Sequence, residues 1–294
     1  MRRIDVHCHP NTEPWYRATQ PYIEALREYW RRPWQPQSEE EFTAELEGAG
    51  VEAIVVAHDT ETVTGLPPCG NDYVAGLRHK HSDVILQVWG AVDPWKGDAA
   101  IVEAERAVSE LGVLGFHFHP ICGGFSVADR RLYPLWETIS GHGVPIMVDA
   151  GFSGMGAGLP GGLGRRLKHA RPFPALDDLA ADFPSLTIVA AHPAWPWTDE
   201  MIAITLHKSN VFWELSGWGP EYFPDALKRE IRTRLQDKVM FGSDYPSLSY
   251  ERLFRGWESL GYSDEIIEKV FWKNAERLLD LGAQGPSRAR VEGT

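Results

Sequence analysis

The sequence lacks several features that mark other classes of protein. Its 294 residues include three cysteines and no Cys-x-x-Cys pair, which argues against a disulfide framework and fits a reducing cytoplasm. No apolar stretch reaches the roughly 18 residues that a membrane helix needs, and no signal-peptide pattern precedes the first strand pattern. The net charge of −12 disfavours binding to nucleic acid or to an anionic membrane. We therefore expect a cytoplasmic protein whose partner is a small molecule.

The sequence does contain a regular alternation of strand and helix patterns. Because strands that alternate with helices form parallel sheets, eight such repeats predict a TIM-type (β/α)8 barrel in a single domain. An open, doubly wound sheet is the alternative, but no glycine-rich phosphate loop follows the first strand pattern. We assign residues 1–282 to the barrel and residues 283–294 to a polar tail. The strand patterns cover residues 3–9, 51–57, 84–91, 113–119, 144–149, 186–191, 210–215 and 238–242.

One segment interrupts the alternation directly after the first strand. Residues 11–37 are rich in tryptophan, tyrosine, arginine and proline, and we predict that they form a partly helical insertion over the site. Ser38 and Glu41 have the spacing of a capping box, which predicts that a helix begins there. That helix is expected to end at Gly48-Ala49-Gly50.

Histidine and aspartate residues follow most of the strand patterns. The carboxyl ends of the strands form the active-site face of a (β/α)8 barrel, so these side chains are expected to meet there. His7 and His9 are two residues apart on one strand, share a face, and can bind a single divalent ion. Asp93 can instead be part of a turn, and His58 and Asp59 can be a helix cap. The residues placed at this face are His7, His9, His58, Asp59, Asp93, His117, His119, Asp149, His192 and Asp244.

Three motifs give the chain a family resemblance: His7-x-His9, Ala190-Ala191-His192-Pro193 and Phe241-Gly242-Ser243-Asp244-Tyr245-Pro246. With these, the chain resembles the amidohydrolase superfamily. Within it, the chain is similar to the amidohydrolase-2 branch, which includes aminocarboxymuconate-semialdehyde decarboxylase and γ-resorcylate decarboxylase. The resemblance implies that His7, His9 and Asp244 are metal ligands and that His192 and Asp244 are catalytic. It also implies a homodimer or a larger homo-oligomer.

The chain departs from the family pattern on two strands. At the end of the fifth strand, Asp149 stands where a histidine ligand is expected, and a carboxylate there can still bind Zn²⁺, Mn²⁺ or Mg²⁺. We expect one divalent metal ion with Asp149 among its ligands and zinc as the first choice. A site without metal is the alternative. On the fourth strand, His117 and His119 share a face, where they can complete the metal site, bind substrate, or be neutral histidines hydrogen-bonded inside the barrel.

The predicted function follows from this resemblance. It implies a metal-dependent non-oxidative decarboxylase acting on a small hydroxylated aromatic or unsaturated carboxylic acid. Hydrolysis of a lactone, ester or amide, with or without metal, is the alternative, and a barrel that binds its ligand without turnover is a third. A basic side chain near the glycine-rich loop 151–164 could clamp a carboxylate, and tryptophans could wall an aromatic ring. The substrate-binding candidates are His117, His119, Arg165, Trp195, Trp197 and Trp218.

Overall fold

The computed structural model describes residues 1–31 and 34–281, and its strands follow the predicted order. They pair in parallel and in chain order around one sheet, which confirms a (β/α)8 barrel in a single domain. The polar tail predicted at residues 283–294 lies outside the described residues. The strands are β1 (Ile4–Cys8), β2 (Glu52–Val56), β3 (Ile85–Gly90), β4 (Gly115–Phe118), β5 (Ile146–Asp149), β6 (Ile188–Ala191), β7 (Val211–Glu214) and β8 (Val239–Met240).

The first and last strands pair, and this brings residues from the two ends of the chain together at the barrel mouth. The backbone N–H of Val6 donates to the carbonyl oxygen of Phe241 at 3.1 Å, and that of Asp244 donates to the carbonyl oxygen of His7 at 2.8 Å. β8 is shorter than predicted because Phe241, whose carbonyl oxygen faces β1, donates its own N–H to the carbonyl oxygen of Val270 rather than to β1. The residues after β8 therefore lie beside β1 at the barrel mouth.

The helices surround the barrel, and their ends agree with local sequence signals. At the start of α3 (Glu39–Ala49), the Ser38 side chain accepts from the Glu41 N–H and the Glu41 carboxylate accepts from the Ser38 N–H. Gly50 ends the helix with a φ of +66°. No helix in the described ranges is long and apolar enough to cross a membrane. The helices are α1 (Glu13–Thr19), α2 (Tyr22–Tyr29), α3 (Glu39–Ala49), α4 (Glu61–Thr64), α5 (Asn71–Lys80), α6 (Asp98–Ser109), α7 (Pro120–Gly123), α8 (Tyr133–Gly141), α9 (Ala175–Asp182), α10 (Thr198–His207), α11 (Asp225–Arg232), α12 (Tyr250–Ser259), α13 (Asp264–Glu268) and α14 (Asn274–Leu278).

The strands are buried on both faces, as their continuous apolar runs predict. One apolar layer lies between the strands and the helices, and a second fills the barrel interior with side chains such as Ile4, Trp89, Met147 and Met240. Gly115 allows β4 and β5 to approach closely, because a Cβ there would lie 2.1 Å from the carbonyl oxygen of Pro145. A rigid, filled barrel of this kind fixes the strand ends that carry the polar residues.

The predicted insertion forms α1 and α2 and covers one side of the barrel mouth. The Trp15 ring of α1 stacks on the imidazole of His9, with 5.1 Å between ring centroids. Leu26 and Trp30 lie against Gly154 of the glycine-rich loop, where an added Cβ would come within 3.0 Å of both side chains. The insertion and the loop after β5 therefore form the outer walls of the site.

Candidate metal centre and active site

His7, at the carboxyl end of β1, has the environment of an oriented metal ligand. Its Nδ1 lies 2.8 Å from Oε1 of Glu214, while its Nε2 is buried and has no hydrogen-bond partner among the described residues. Burial lowers the pKa of His7 well below its usual value, so the imidazole is neutral at pH 7. A neutral imidazole held by a carboxylate at one nitrogen and free at the other is the arrangement that metal-binding histidines show.

His9 and Asp244 lie beside this free nitrogen. The Asp244 Oδ1 atom is 3.1 Å from Nε2 of His9 and 3.9 Å from Nε2 of His7. One ligand atom from each of these three residues lies within 4.8 Å of the other two. Two imidazole nitrogens and a carboxylate oxygen, at strand ends that the closed barrel holds together, fit a divalent metal ion.

Asp149 is hydrogen-bonded to His117 of β4 and lies close to His119, which follows that strand. Its Oδ1 lies 2.8 Å from Nε2 of His117, and its Oδ2 lies 3.2 Å from Nε2 of His119. His119 Nδ1 accepts from the Cys122 N–H, so its Nε2 carries the proton, and the Ser153 hydroxyl oxygen lies 3.2 Å from that nitrogen. Burial lowers the pKa of His119 to about 4. Burial alone would raise the pKa of Asp149, but the neighbouring imidazoles hold it well below its usual value.

Asp149 nevertheless remains within reach of an ion bound at the centre. A group formed by His7, His117 and Asp149 also has its ligand atoms within 4.8 Å of one another. Each carboxylate oxygen has two lone pairs, so a hydrogen bond to a histidine leaves one for a metal. His117 thus orients the aspartate that stands in the place of the expected histidine.

His192 follows β6, and its Nε2 lies near Asp149. Its Nδ1 is 2.9 Å from the Ser216 hydroxyl oxygen, and its Nε2 is 3.7 Å from Oδ1 of Asp149. Burial would lower its pKa, but the Asp149 and Asp244 carboxylates raise it above the usual value. Both His192 (φ +68°) and Asp244 (φ +56°) have left-handed backbone conformations, which cost side-chain-bearing residues about 1 kcal/mol or more and are common at functional sites.

Glu214, at the end of β7, is a central residue of the site that the sequence analysis did not predict. It is fully buried, and besides His7 it accepts hydrogen bonds from the Ser216 N–H at 2.8 Å and the Ser216 hydroxyl at 2.9 Å. Burial raises its pKa to about 8, and a cation bound by His7 would favour its ionised form. Gly242 makes room for it, since a Cβ there would lie 2.4 Å from Oε2 of Glu214. A carboxylate at the end of an apolar strand, followed by Leu-Ser-Gly, is the sequence signal that could have identified it.

A cavity of about 320 Å³ opens above these residues at the barrel mouth. His9, Asp149, His192 and Asp244 lie at its polar end, and the remaining wall is mainly apolar. Among the predicted substrate-binding residues, His119 and Trp218 line it. Its apolar wall includes Trp15, Ile23, Leu26, Trp30, Trp34, Phe152, Met155, Trp218 and Leu248.

Residues 4–281 match the family model described as amidohydrolase. The chain belongs to the amidohydrolase family. None of the curated protein sequences matches it significantly. Among solved structures, an uncharacterized TIM-barrel protein of Bordetella bronchiseptica superposes with a TM-score of 0.76 at 22% identity, covering 97% of this chain and 100% of that one.

Two further structures similar to this amidohydrolase are decarboxylases. The dihydroxybenzoic acid decarboxylase of Polaromonas sp. JS666, solved with manganese and the inhibitor 2-nitroresorcinol, has a TM-score of 0.67 at 18% identity and covers 96% of this chain and 97% of its own. The 5-carboxyvanillate decarboxylase of Sphingomonas paucimobilis has a TM-score of 0.64 at 18% identity, and the match covers 95% of this chain and 99% of that one. At these identities the similarity shows a shared fold.

The remaining substrate-binding candidates of this amidohydrolase lie outside the cavity lining. Arg165 donates to the carbonyl oxygen of Cys122, which ties the glycine-rich loop to the segment after β4. Trp195 is 47% exposed, and its ring packs on Trp218 with 5.8 Å between centroids. Trp197 is half-buried and donates its backbone N–H within a turn. His117 is buried behind Asp149.

Proposed function

We propose that this amidohydrolase is a metal-dependent, non-oxidative decarboxylase of a small hydroxylated aromatic or unsaturated carboxylic acid. The observation that carries the proposal is an apolar, aromatic cavity placed over a cluster of two histidines, an aspartate and His192. Loss of CO₂ leaves an electron pair on carbon, so it benefits from a nearby positive charge and from the exclusion of water. Two proteins with the same fold are named as decarboxylases of aromatic acids.

His7, His9 and Asp244 would hold the ion, with Asp149 as the fourth candidate ligand. When bound, a divalent ion supplies positive charge for the substrate carboxylate and a neighbouring hydroxyl oxygen. Its ligands include carboxylate oxygens, which suit Mn²⁺ as well as Zn²⁺, and the Polaromonas enzyme carries manganese. Zinc stays a prediction, and elemental analysis of the purified protein distinguishes zinc from manganese.

The chain's own side chains would position the substrate and supply a proton. The aromatic wall formed by Trp15 and Trp218 would flank the ring, and Ser216 would hold His192 so that its Nε2 faces the reacting carbon. The bond between that carbon and the carboxylate breaks, its electron pair stays on the carbon, and CO₂ leaves. A proton from His192 or Asp244 then joins the carbon.

Hydrolysis is the second candidate function. The observation that favours it is the proximity of His192 Nε2 and Asp149 Oδ1, 3.7 Å apart at the polar end of the cavity, where they could orient an attacking water. An ester, lactone or amide would then be the substrate. A barrel that only binds its ligand would show affinity without turnover of either kind.

An assay that measures both reactions on one preparation tests the proposal. Protein loaded with Mn²⁺ or Zn²⁺ is incubated with hydroxybenzoates, including 2,6-dihydroxybenzoate and 5-carboxyvanillate, and ¹³CO₂ release is measured from carboxyl-labelled acids. The same protein is tested on a panel of aryl esters, lactones and anilides. We expect CO₂ release that His192→Asn abolishes without loss of metal. A rate of hydrolysis that is tenfold or more above the rate of CO₂ release would contradict the proposal.

Sedimentation analysis tests the predicted homodimer or larger oligomer.

A further inference from the structure

One cationic side chain lines the same cavity as His9 and Asp244. Arg252, near the start of α12, is the single arginine or lysine in the cavity wall within the described residues. The other charged groups of that wall are carboxylates and histidines at the polar end. An anionic substrate entering a cavity that already holds Asp149 and Asp244 needs a positive charge besides the metal, and Arg252 is placed to supply it.

The guanidinium of Arg252 is only loosely engaged by the protein. Its Nη2 lies 3.5 Å from Oε1 of Glu221, and no hydrogen bond to it is formed within residues 1–31 and 34–281. By contrast, Arg255 on the same helix bonds Glu251 at 3.0 Å and is 67% exposed, against 36% for Arg252. A guanidinium has five N–H donors in a planar fork that matches a carboxylate, so most donors of Arg252 are free for a ligand.

The segment after β7 connects the metal cluster to this arginine. A Cβ on Gly217 would lie 2.9 Å from Oδ2 of Asp244, and one on Gly219 would lie 2.6 Å from Oε2 of Glu221, the partner of Arg252. Two residues of chain span at most roughly 7 Å. The two ends of this segment are therefore no further apart than the length of a small aromatic acid, and the Trp218 side chain between them lines the cavity.

We propose that Arg252 forms an anion subsite that binds a second carboxylate of the substrate, at the end of the cavity away from His7, His9 and Asp244. The substrate class is then a dicarboxylic acid with an apolar or aromatic body between its two carboxylates. This rests on the proposed decarboxylase function, in which the first carboxylate is the one lost. A bidentate pair with Arg252 would fix the distance between the retained carboxylate and the reacting one.

Binding calorimetry with matched acids tests the subsite without requiring turnover. The Mn²⁺-loaded protein is titrated with benzoate against terephthalate, and with biphenyl-4-carboxylate against biphenyl-4,4′-dicarboxylate. We expect at least one dicarboxylate to bind about tenfold or more tightly than its matched monocarboxylate, as a charge-assisted hydrogen-bond pair predicts. Arg252→Gln should reduce that preference to threefold or less, Arg252→Lys should keep part of it, and Arg255→Gln should keep all of it.

Several outcomes would overturn the subsite. These are the absence of any dicarboxylate preference in the wild type, no measurable dicarboxylate binding at millimolar concentration, and a preference that persists in Arg252→Gln. Thermal unfolding of each variant shows whether the fold is retained. If the preference depends on Arg252 but no acid releases CO₂, the decarboxylase proposal fails and the subsite stands. If CO₂ is released but no preference exists, the subsite fails and the decarboxylase stands.

Discussion

Replacement of Glu214 by glutamine tests whether the buried carboxylate orients His7 for a metal ion. The change is nearly isosteric, so the cavity volume stays the same. Glu214 accepts from His7 with Oε1 and from the Ser216 N–H with Oε2. An amide has only one acceptor oxygen, so its NH₂ group must face a donor on one of the two sides.

The expected effect is a weaker metal site rather than an unfolded protein. Partners that hold a metal-binding histidine typically contribute tenfold to hundredfold to metal affinity, or about 1.4–2.8 kcal/mol. One buried donor left without an acceptor costs about 1–3 kcal/mol of folding stability. We therefore expect Glu214→Gln to raise the Mn²⁺ dissociation constant at least tenfold, measured by competition with a chelator, while the melting transition stays cooperative.

Glu230→Gln is a suitable control for this experiment. Glu230, on α11, is also buried, but it pairs with Arg234 just beyond that helix, away from the barrel mouth. That variant should lose stability and keep wild-type metal affinity. Metal affinity within threefold of wild type in Glu214→Gln would refute the idea that this carboxylate orients the metal ligand.

Three other predictions concern the site and the barrel. His7→Ala and Asp244→Asn should each weaken Mn²⁺ binding more than hundredfold and abolish turnover with an unchanged circular dichroism spectrum; retained turnover would exclude these ligands. Removing metal with EDTA should abolish turnover, and Mn²⁺ addition should restore it; full activity in metal-free protein would contradict the metal-dependent mechanism. Gly115→Ala should destabilise the fold by about 1–3 kcal/mol in urea unfolding, because its Cβ would meet the Pro145 carbonyl oxygen; unchanged stability would refute that close contact.

The barrel could be predicted from the sequence because its signals are local. The capping box at Ser38 and Glu41 and the apolar runs of the strands each depend on a few neighbouring residues. Strand ends were less predictable, since they depend on which neighbour accepts a hydrogen bond. β8 is short because Phe241 bonds the distant residue Val270.

The sequence motifs predicted some residues of the candidate site. They missed the residues that only the folding of the chain brings to it. His7 and Asp244 belong to motifs and do lie together. Glu214 is 207 positions from His7, and in the sequence it is a single polar residue in an apolar strand pattern. In the sequence pattern, Arg252 is an ordinary polar residue of an amphipathic helix. Its presence in the cavity wall depends on how α12 packs against the segment after β7.

The left-handed backbone at His192 and Asp244 has a consequence for engineering this protein. Both positions have φ values that glycine tolerates better than histidine or aspartate does. A screen that selects only for thermal stability would favour glycine at the two positions that carry the reactive side chains, and would enrich stable proteins with no activity. Thermostable variants are therefore better sought in the outer helices, with these two positions held fixed.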